Sequence, residues 1–105
     1  MTTGGDEPRT MALHLRIKGR VQGVFFRRWV VEEATRRGLR GWVRNRSDGS
    51  VETVISGEMA AVRDMAKACR RGPPRAAVTD VVQIPGEYRP GEEDFPEGFR
   101  QLPTV

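Results

Sequence analysis

Residues 19 to 27, Gly-Arg-Val-Gln-Gly-Val-Phe-Phe-Arg, hold the parts from which an anion site can be built. They stand between a strand-like segment and a helix-like one. Gly19 and Gly23 let the backbone curl where a side chain would interfere. No Ser, Thr, Asp or Asn stands where the helix would begin, so no side chain of the usual capping kind meets its first N–H groups. The donors around Val24 to Arg27 are left for water or a ligand. With Arg27 closing the loop, the chemistry this suits is the holding of a phosphate-like anion. The same residues also describe an ordinary Gly-containing turn with a surface Arg, and spacing alone favours that plainer reading.

Composition bounds what surrounds the loop. A chain of 105 residues is one domain, long enough for a single core. Its one Cys (Cys69) permits no intrachain disulfide, and with one His (His14) it cannot build a zinc site, although carboxylates alone could hold a hard cation. No apolar run approaches the ~20 residues that span a bilayer. Met1 to Thr10 has no apolar leader-like run, so a cytoplasmic location is the default expectation. The net charge is +4 and uneven: ten basic residues against Glu32 and Glu33 between Arg16 and Arg46, and five acids against Arg89 between Glu87 and Glu97. A basic block of this kind attracts small anions or a nucleic-acid backbone.

Periodicity supplies the elements that must position the loop. Residues 1–10 read as a mobile tail ahead of a domain over 11–105, and Met11 is an alternative start. Leu13, Leu15 and Ile17 alternate with His14, Arg16 and Lys18, which predicts a half-buried strand over Ala12–Lys18 with His14 facing solvent. Phe26, Val30 and Ala34, with Trp29 alongside, form the apolar stripe of a helix that runs to Arg37 and stops at Gly38. Glu32–Arg36 and Glu33–Arg37 are spaced as i,i+4 pairs along it. Gly41–Arg46 and Val51–Ser56 flank the Asp48-Gly49 hairpin signal. Ser56 and Gly57 offer the start of a second helix whose stripe is Val62, Met65, Ala66 and Cys69, ending near Arg71. Cys69 is thus read as packing and not as a nucleophile. Ala77–Gln83 is a fourth strand, Pro85–Gly98 a surface loop, and Phe99–Leu102 a short edge strand. The order βαββαβ plus a short fifth strand predicts an α+β, ferredoxin-like sandwich with two helices on one face of a mostly antiparallel sheet. The loop then leaves the first strand at the sheet's centre, beside the end of the second.

At residues 19–27 the sequence resembles the acylphosphatase family. Gly38-Leu39-Arg40-Gly41-Trp42-Val43-Arg44-Asn45, followed by Asp48-Gly49-Ser50-Val51-Glu52, is a second block of resemblance. Gly57, Gly72-Pro73, Ala76 and Val78 extend it, so that it covers roughly residues 12–102 in the right order. Two separate blocks outweigh the plainer reading of the loop. The resemblance implies a small monomeric α/β sandwich that hydrolyses acyl phosphates to a carboxylate and phosphate, with no cofactor or metal. It places the active-site Arg at Arg27, the active-site Asn at Asn45, and the cradle of backbone N–H groups at Arg20, Val21, Gln22, Gly23, Val24 and Phe25. The chain departs from the family at Phe25, where many members carry Gly or another small residue.

Residue chemistry agrees with that implication. A carboxylate is a good leaving group, and phosphoryl transfer needs mainly positioning and charge stabilisation. Arg27 offers a planar fork matched to phosphate oxygens. The Asn45 amide can orient a water but cannot act as a base. Inorganic phosphate or sulfate is then the expected competing anion. A nucleic-acid-binding module of the same topology is the alternative from another class, although the strands lack the exposed aromatics such modules use. A third reading is an anion-sensing or carbamoyl-phosphate-handling domain, similar to those within hydrogenase-maturation proteins.

Overall fold

The structure, a computed structural model, describes residues 9–86 and 98–105. The expected tail over 1–10 therefore lies mostly outside the described residues, as does the acidic stretch 87–97. The elements are β1 (Thr10–Arg20), α1 (Phe26–Arg36), β2 (Arg40–Asn45), β3 (Val51–Glu58), α2 (Met59–Arg71), β4 (Ala77–Gln83) and β5 (Phe99–Gln101). They form one sheet in the order β4-β1-β3-β2-β5, antiparallel except for the β2–β5 pair. This is the ferredoxin-like arrangement, with a parallel edge strand added.

The alternation in β1 sets the layers. Leu15 and Ile17 point to the helix side, where Val30 and Ala34 of α1 and Val62, Met65 and Cys69 of α2 close a core with Val43, Val51 and Ile55. Burying an aliphatic side chain of this size stabilises by about 1.5–3 kcal/mol. That is why both helices, with no side-chain caps, nonetheless hold their places. Cys69 sits inside this core, and burial pushes its thiol up to about 12, which leaves it packing as expected.

Several boundaries differ from those expected. β1 begins at Thr10 and β3 runs to Glu58, because Thr10 pairs with Glu58 and Met11 with Gly57. The Ser56-Gly57 helix start is thereby overruled, and α2 begins at Met59. β2 stops at Asn45, since the Arg46 N–H turns back to the Ser50 carbonyl at 2.9 Å to close the hairpin. On α1, Glu32 bonds Arg28 at 3.4 Å, while Glu33 takes both Arg36 and Arg37, at 2.6 and 2.8 Å. The Glu33–Arg37 pair is present as expected, and Glu32 faces back along the helix rather than toward Arg36.

His14 also needs correction. Its side chain is only 12% exposed, and Nε2 lies 2.6 Å from Oε2 of Glu52. The open sheet face is roofed by its own long side chains. Arg44 stacks over Trp42 with its guanidinium carbon 4.7 Å from the ring centroid, and His14 meets Trp42 edge-on. Glu52 lies beneath, bonded also by Arg44 at 2.7 Å and Arg46 at 2.9 Å. Burial pushes its carboxyl up, but hydrogen bonds from Arg44, His14 and Arg46 outweigh burial and hold it down at about 2.

Candidate active site

The loop after β1 is released by a bulge between Lys18 and Gly19. Gly19 has φ +122, and a Cβ there would lie 2.2 Å from the Ala77 carbonyl oxygen, so no other residue fits. Val21, 1% exposed, roots the loop in the core. Gln22 ties it sideways: its side-chain amide donates to the Arg46 carbonyl at 2.7 Å and to the Ser50 carbonyl at 2.9 Å. Left-handed backbone at Gly23 (φ 75) and Phe25 (φ 61) then curls the chain into α1. Turns of this type gather successive N–H groups around a concavity suited to anions. For Phe25 that conformation costs about 1–2 kcal/mol, since its Cβ crowds the backbone where Gly has none.

Phe25 stands at the N-cap position and makes no side-chain capping bond. Its carbonyl accepts the first helical bond, from the Trp29 N–H at 3.0 Å. The N–H groups of Phe26, Arg27 and Arg28 belong to the first turn and have no acceptor within the helix. Phe26 is buried and meets Trp29 edge-on at 5.4 Å, which fixes the direction in which the helix start points.

β2 delivers the other half of the site. Val51 at the start of β3 pairs with Ile17 on one side and Asn45 on the other. Asn45 thus lies level with the end of β1, one strand removed. Its carbonyl accepts the Val105 N–H at 3.2 Å, while the Ser47 N–H donates to the Val105 carbonyl at 2.7 Å. The segment after β5 thereby brackets Asn45 from the outside.

Between these parts is a cavity of about 340 Å³, to which Val21, Gln22, Gly23, Phe25 and Arg27 contribute from the loop and α1, Asn45 from β2, and Gln101 from β5. Arg20 and Val24 do not line it. Arg20 pairs with Ala77 and lies with Val24, Pro74 and Arg75 around a separate hollow on the other side of the loop. Gln101 and Arg28 line the main cavity although sequence reasoning named neither. A three-residue strand joined to β2 from 58 positions away leaves no signal that Gln101 lines the cavity, and Arg28 was legible only as the neighbour of Arg27.

Charge is arranged for an anion. Among the described residues no carboxylate lines the cavity. Arg27 takes part in none of their ion pairs, whereas Arg16, Arg28, Arg36, Arg37, Arg44 and Arg46 all do. Six of the ten basic residues between Arg16 and Arg46 thus have a described acid partner. Among the described residues no group of three or more His, Cys, Asp or Glu could hold a metal ion. No described helix is long and apolar enough to cross a membrane.

Fold and cavity together define a class: a ferredoxin-like sandwich whose first loop and first helix open on a hollow at the ends of β1 and β2, with no described carboxylate in its lining. The acylphosphatase family model matches residues 13–97. A relative from Rhizorhabdus wittichii, named acylphosphatase, is 47% identical over 98% of this chain and 99% of its own. Another from Acidiphilium cryptum is 52% identical over 81% and 92%. The crystal structure of acylphosphatase from Bacillus subtilis superposes with a TM-score of 0.78 at 34% identity, covering 90% of this chain and 99% of that one. The chain belongs to the acylphosphatase family.

Proposed function

We propose that the protein hydrolyses acyl phosphates, with the phosphoryl group held by Arg27 and the N–H groups of the loop and the first turn of α1, and with Asn45 orienting the attacking water. The observation that supports this most is that Arg27, which takes part in no ion pair among the described residues, lines the same cavity as Asn45, where no described carboxylate stands. Arg27 presents a fork to two phosphoryl oxygens, and the loop donors and helix dipole meet the remaining negative charge. The Asn45 amide accepts from the water and holds one lone pair toward phosphorus. A P–O bond forms to the water oxygen as the bond to the acyl oxygen breaks. The carboxylate leaves with that electron pair, and the water's proton passes to a phosphoryl oxygen, so no side-chain base is required. Among the described residues none of the usual bases lines the cavity, which fits that route. Inorganic phosphate, itself a product of the reaction, competes for the same donors.

The test separates the two residues. Arg27→Ala should weaken phosphate binding and lower kcat/KM, and Arg27→Lys should restore little because a point charge lacks the fork. Asn45→Ala should leave phosphate affinity nearly intact while kcat falls by about 10²–10³, the size of losing one positioned active-site hydrogen-bonding group. Phosphate titration by calorimetry on folded variants decides. An Asn45→Ala protein that loses phosphate as Arg27→Ala does, or that turns over at the wild-type rate, removes the water-orienting role.

A further inference from the structure

A second cavity, of about 440 Å³, adjoins the first on the outer side of α1. Its apolar lining is Val24, Phe25, Trp29, Pro73 and Pro74, from the loop, the first turns of α1 and the segment between α2 and β4. Phe25 and Arg28 line both cavities, so the two meet along that pair. Arg28 carries Glu32 on its Nε at 3.4 Å, which offsets its charge on this side.

Phe25 is the anomaly that the hydrolysis reading leaves over. Its backbone N–H is all that a phosphate cradle needs, and Gly would supply it without left-handed strain. Yet the chain keeps a phenyl ring there, in left-handed backbone at φ 61, with 72% of the residue exposed. An exposed large apolar side chain on the wall between an anion cavity and an apolar one fits the recognition of a ligand with both characters. An acyl phosphate is such a ligand. We infer that the second cavity receives the acyl group of the substrate, and that Phe25, with Trp29, Pro73 and Pro74, selects aromatic acyl groups over acetyl. The inference rests on the hydrolysis proposed above. With phosphate on the loop donors, the leaving carboxylate lies away from Asn45, and the ring of an aryl substituent packs on the exposed face of Phe25.

Selectivity is read as the change of a ratio between wild type and variant, in which the different intrinsic reactivities of the substrates cancel. kcat/KM for benzoyl phosphate relative to acetyl phosphate is measured in wild type, Phe25→Gly and Pro74→Asp. Gly suits the left-handed backbone at position 25, and Pro74 is exposed, so both variants should fold. The ratio should fall by about tenfold or more in Phe25→Gly, the scale on which an apolar pocket discriminates, and severalfold in Pro74→Asp. The inhibition constant of inorganic phosphate should stay within about twofold in Pro74→Asp. An unchanged ratio in both variants, with acetyl phosphate still turned over, overturns the subsite and leaves hydrolysis standing. Equal losses on both substrates, together with weakened phosphate inhibition, overturn it too, because Phe25 would then serve only the cradle. Calorimetric affinities for phenacylphosphonate and acetonylphosphonate, in which CH₂ replaces the bridging oxygen, report the same ratio without turnover. If hydrolysis is absent but that ratio is present and falls in Phe25→Gly, the hydrolysis reading fails and the aryl subsite survives. A ratio of phosphonate affinities near one in wild type overturns the subsite.

Discussion

Gln22→Met removes both donors of the loop's sideways tie while keeping the side chain's length and apolar bulk. Two neutral hydrogen bonds are lost, at 2.7 and 2.9 Å. Their acceptors are not orphaned: the Arg46 carbonyl still accepts the Gly49 N–H at 3.0 Å, and the Ser50 carbonyl still accepts the Arg46 N–H at 2.9 Å. The cost to stability is therefore the net worth of two bonds, about 1–2 kcal/mol, without the larger penalty of a stranded buried carbonyl. In a domain of this size that lowers Tm by about 4–8 °C per kcal/mol. The functional cost should be larger. Gln22 belongs to the loop, and Arg46 is the residue after Asn45, so the tie sets the distance between the phosphate donors and the Asn45 amide. A displacement of about 1 Å at a reacting centre costs on the order of 10² in rate. Phosphate affinity should drop only a few-fold, since Arg27 and the loop N–H groups remain. Chemical denaturation, steady-state kinetics and phosphate calorimetry on one preparation give all three numbers. Wild-type kcat at reduced stability would refute the positioning argument. A stability loss well above 3 kcal/mol would refute the claim that the hairpin keeps both carbonyls satisfied.

Three further outcomes follow from the same geometry. Glu52 has its carboxyl lowered from 4.5 to about 2, so its contribution is present above pH 4.5 and is lost as pH falls toward 2; the drop is up to about 3 kcal/mol. A Tm series from pH 6 to 2 should show it, and Glu52→Gln should flatten that slope. His14→Ala should lower stability, because it removes one of the partners of Glu52, while kcat and its pH profile stay unchanged; a wild-type pH dependence of kcat that vanishes in the variant would contradict this. Activity should survive excess chelator, and loss restored by magnesium or zinc would show that Arg27 and the loop donors are not sufficient to meet the phosphoryl charge.

The parts that the sequence made legible are those written in local pattern. The alternation of Leu13, Leu15 and Ile17 gave β1 its faces, and Phe26, Val30 and Ala34 gave α1 its buried stripe. The missing cap before α1 was visible as the absence of a residue type and stands in the structure as such. What stayed hidden depends on partners far along the chain. Ser56-Gly57 carries a good local helix-start signal, and it lost to pairing with Thr10 and Met11. The burial of His14 needed Glu52, 38 positions away, to be roofed by Arg44 and Arg46. Gln22's tie was out of reach for a different reason: its acceptors are backbone carbonyls, which every residue has.

The assembly of the cavity follows from one topological fact. β1 and β2 run parallel, with β3 inserted antiparallel between them, so the ends of β1 and β2 and the start of β3 all come to the same end of the sheet. Two strand spacings, about 10 Å, separate the backbone at Ile17 from that at Asn45. That gap is too wide for a direct backbone bond, yet a loop leaving β1 can fold across the start of β3 and close it. Gln22 does so, landing on Ser50 at the start of β3 and on Arg46 just past β2. The hairpin signal at Asp48-Gly49 therefore bears on the site as well as on the fold. By fixing the β2–β3 register it fixes where both Gln22 acceptors stand. A one-residue slip there would turn Asn45 to the opposite face of the sheet. The register that places Val51 between Ile17 and Asn45 is thus what makes two motifs, 18 residues apart from Arg27 to Asn45, face a single cavity.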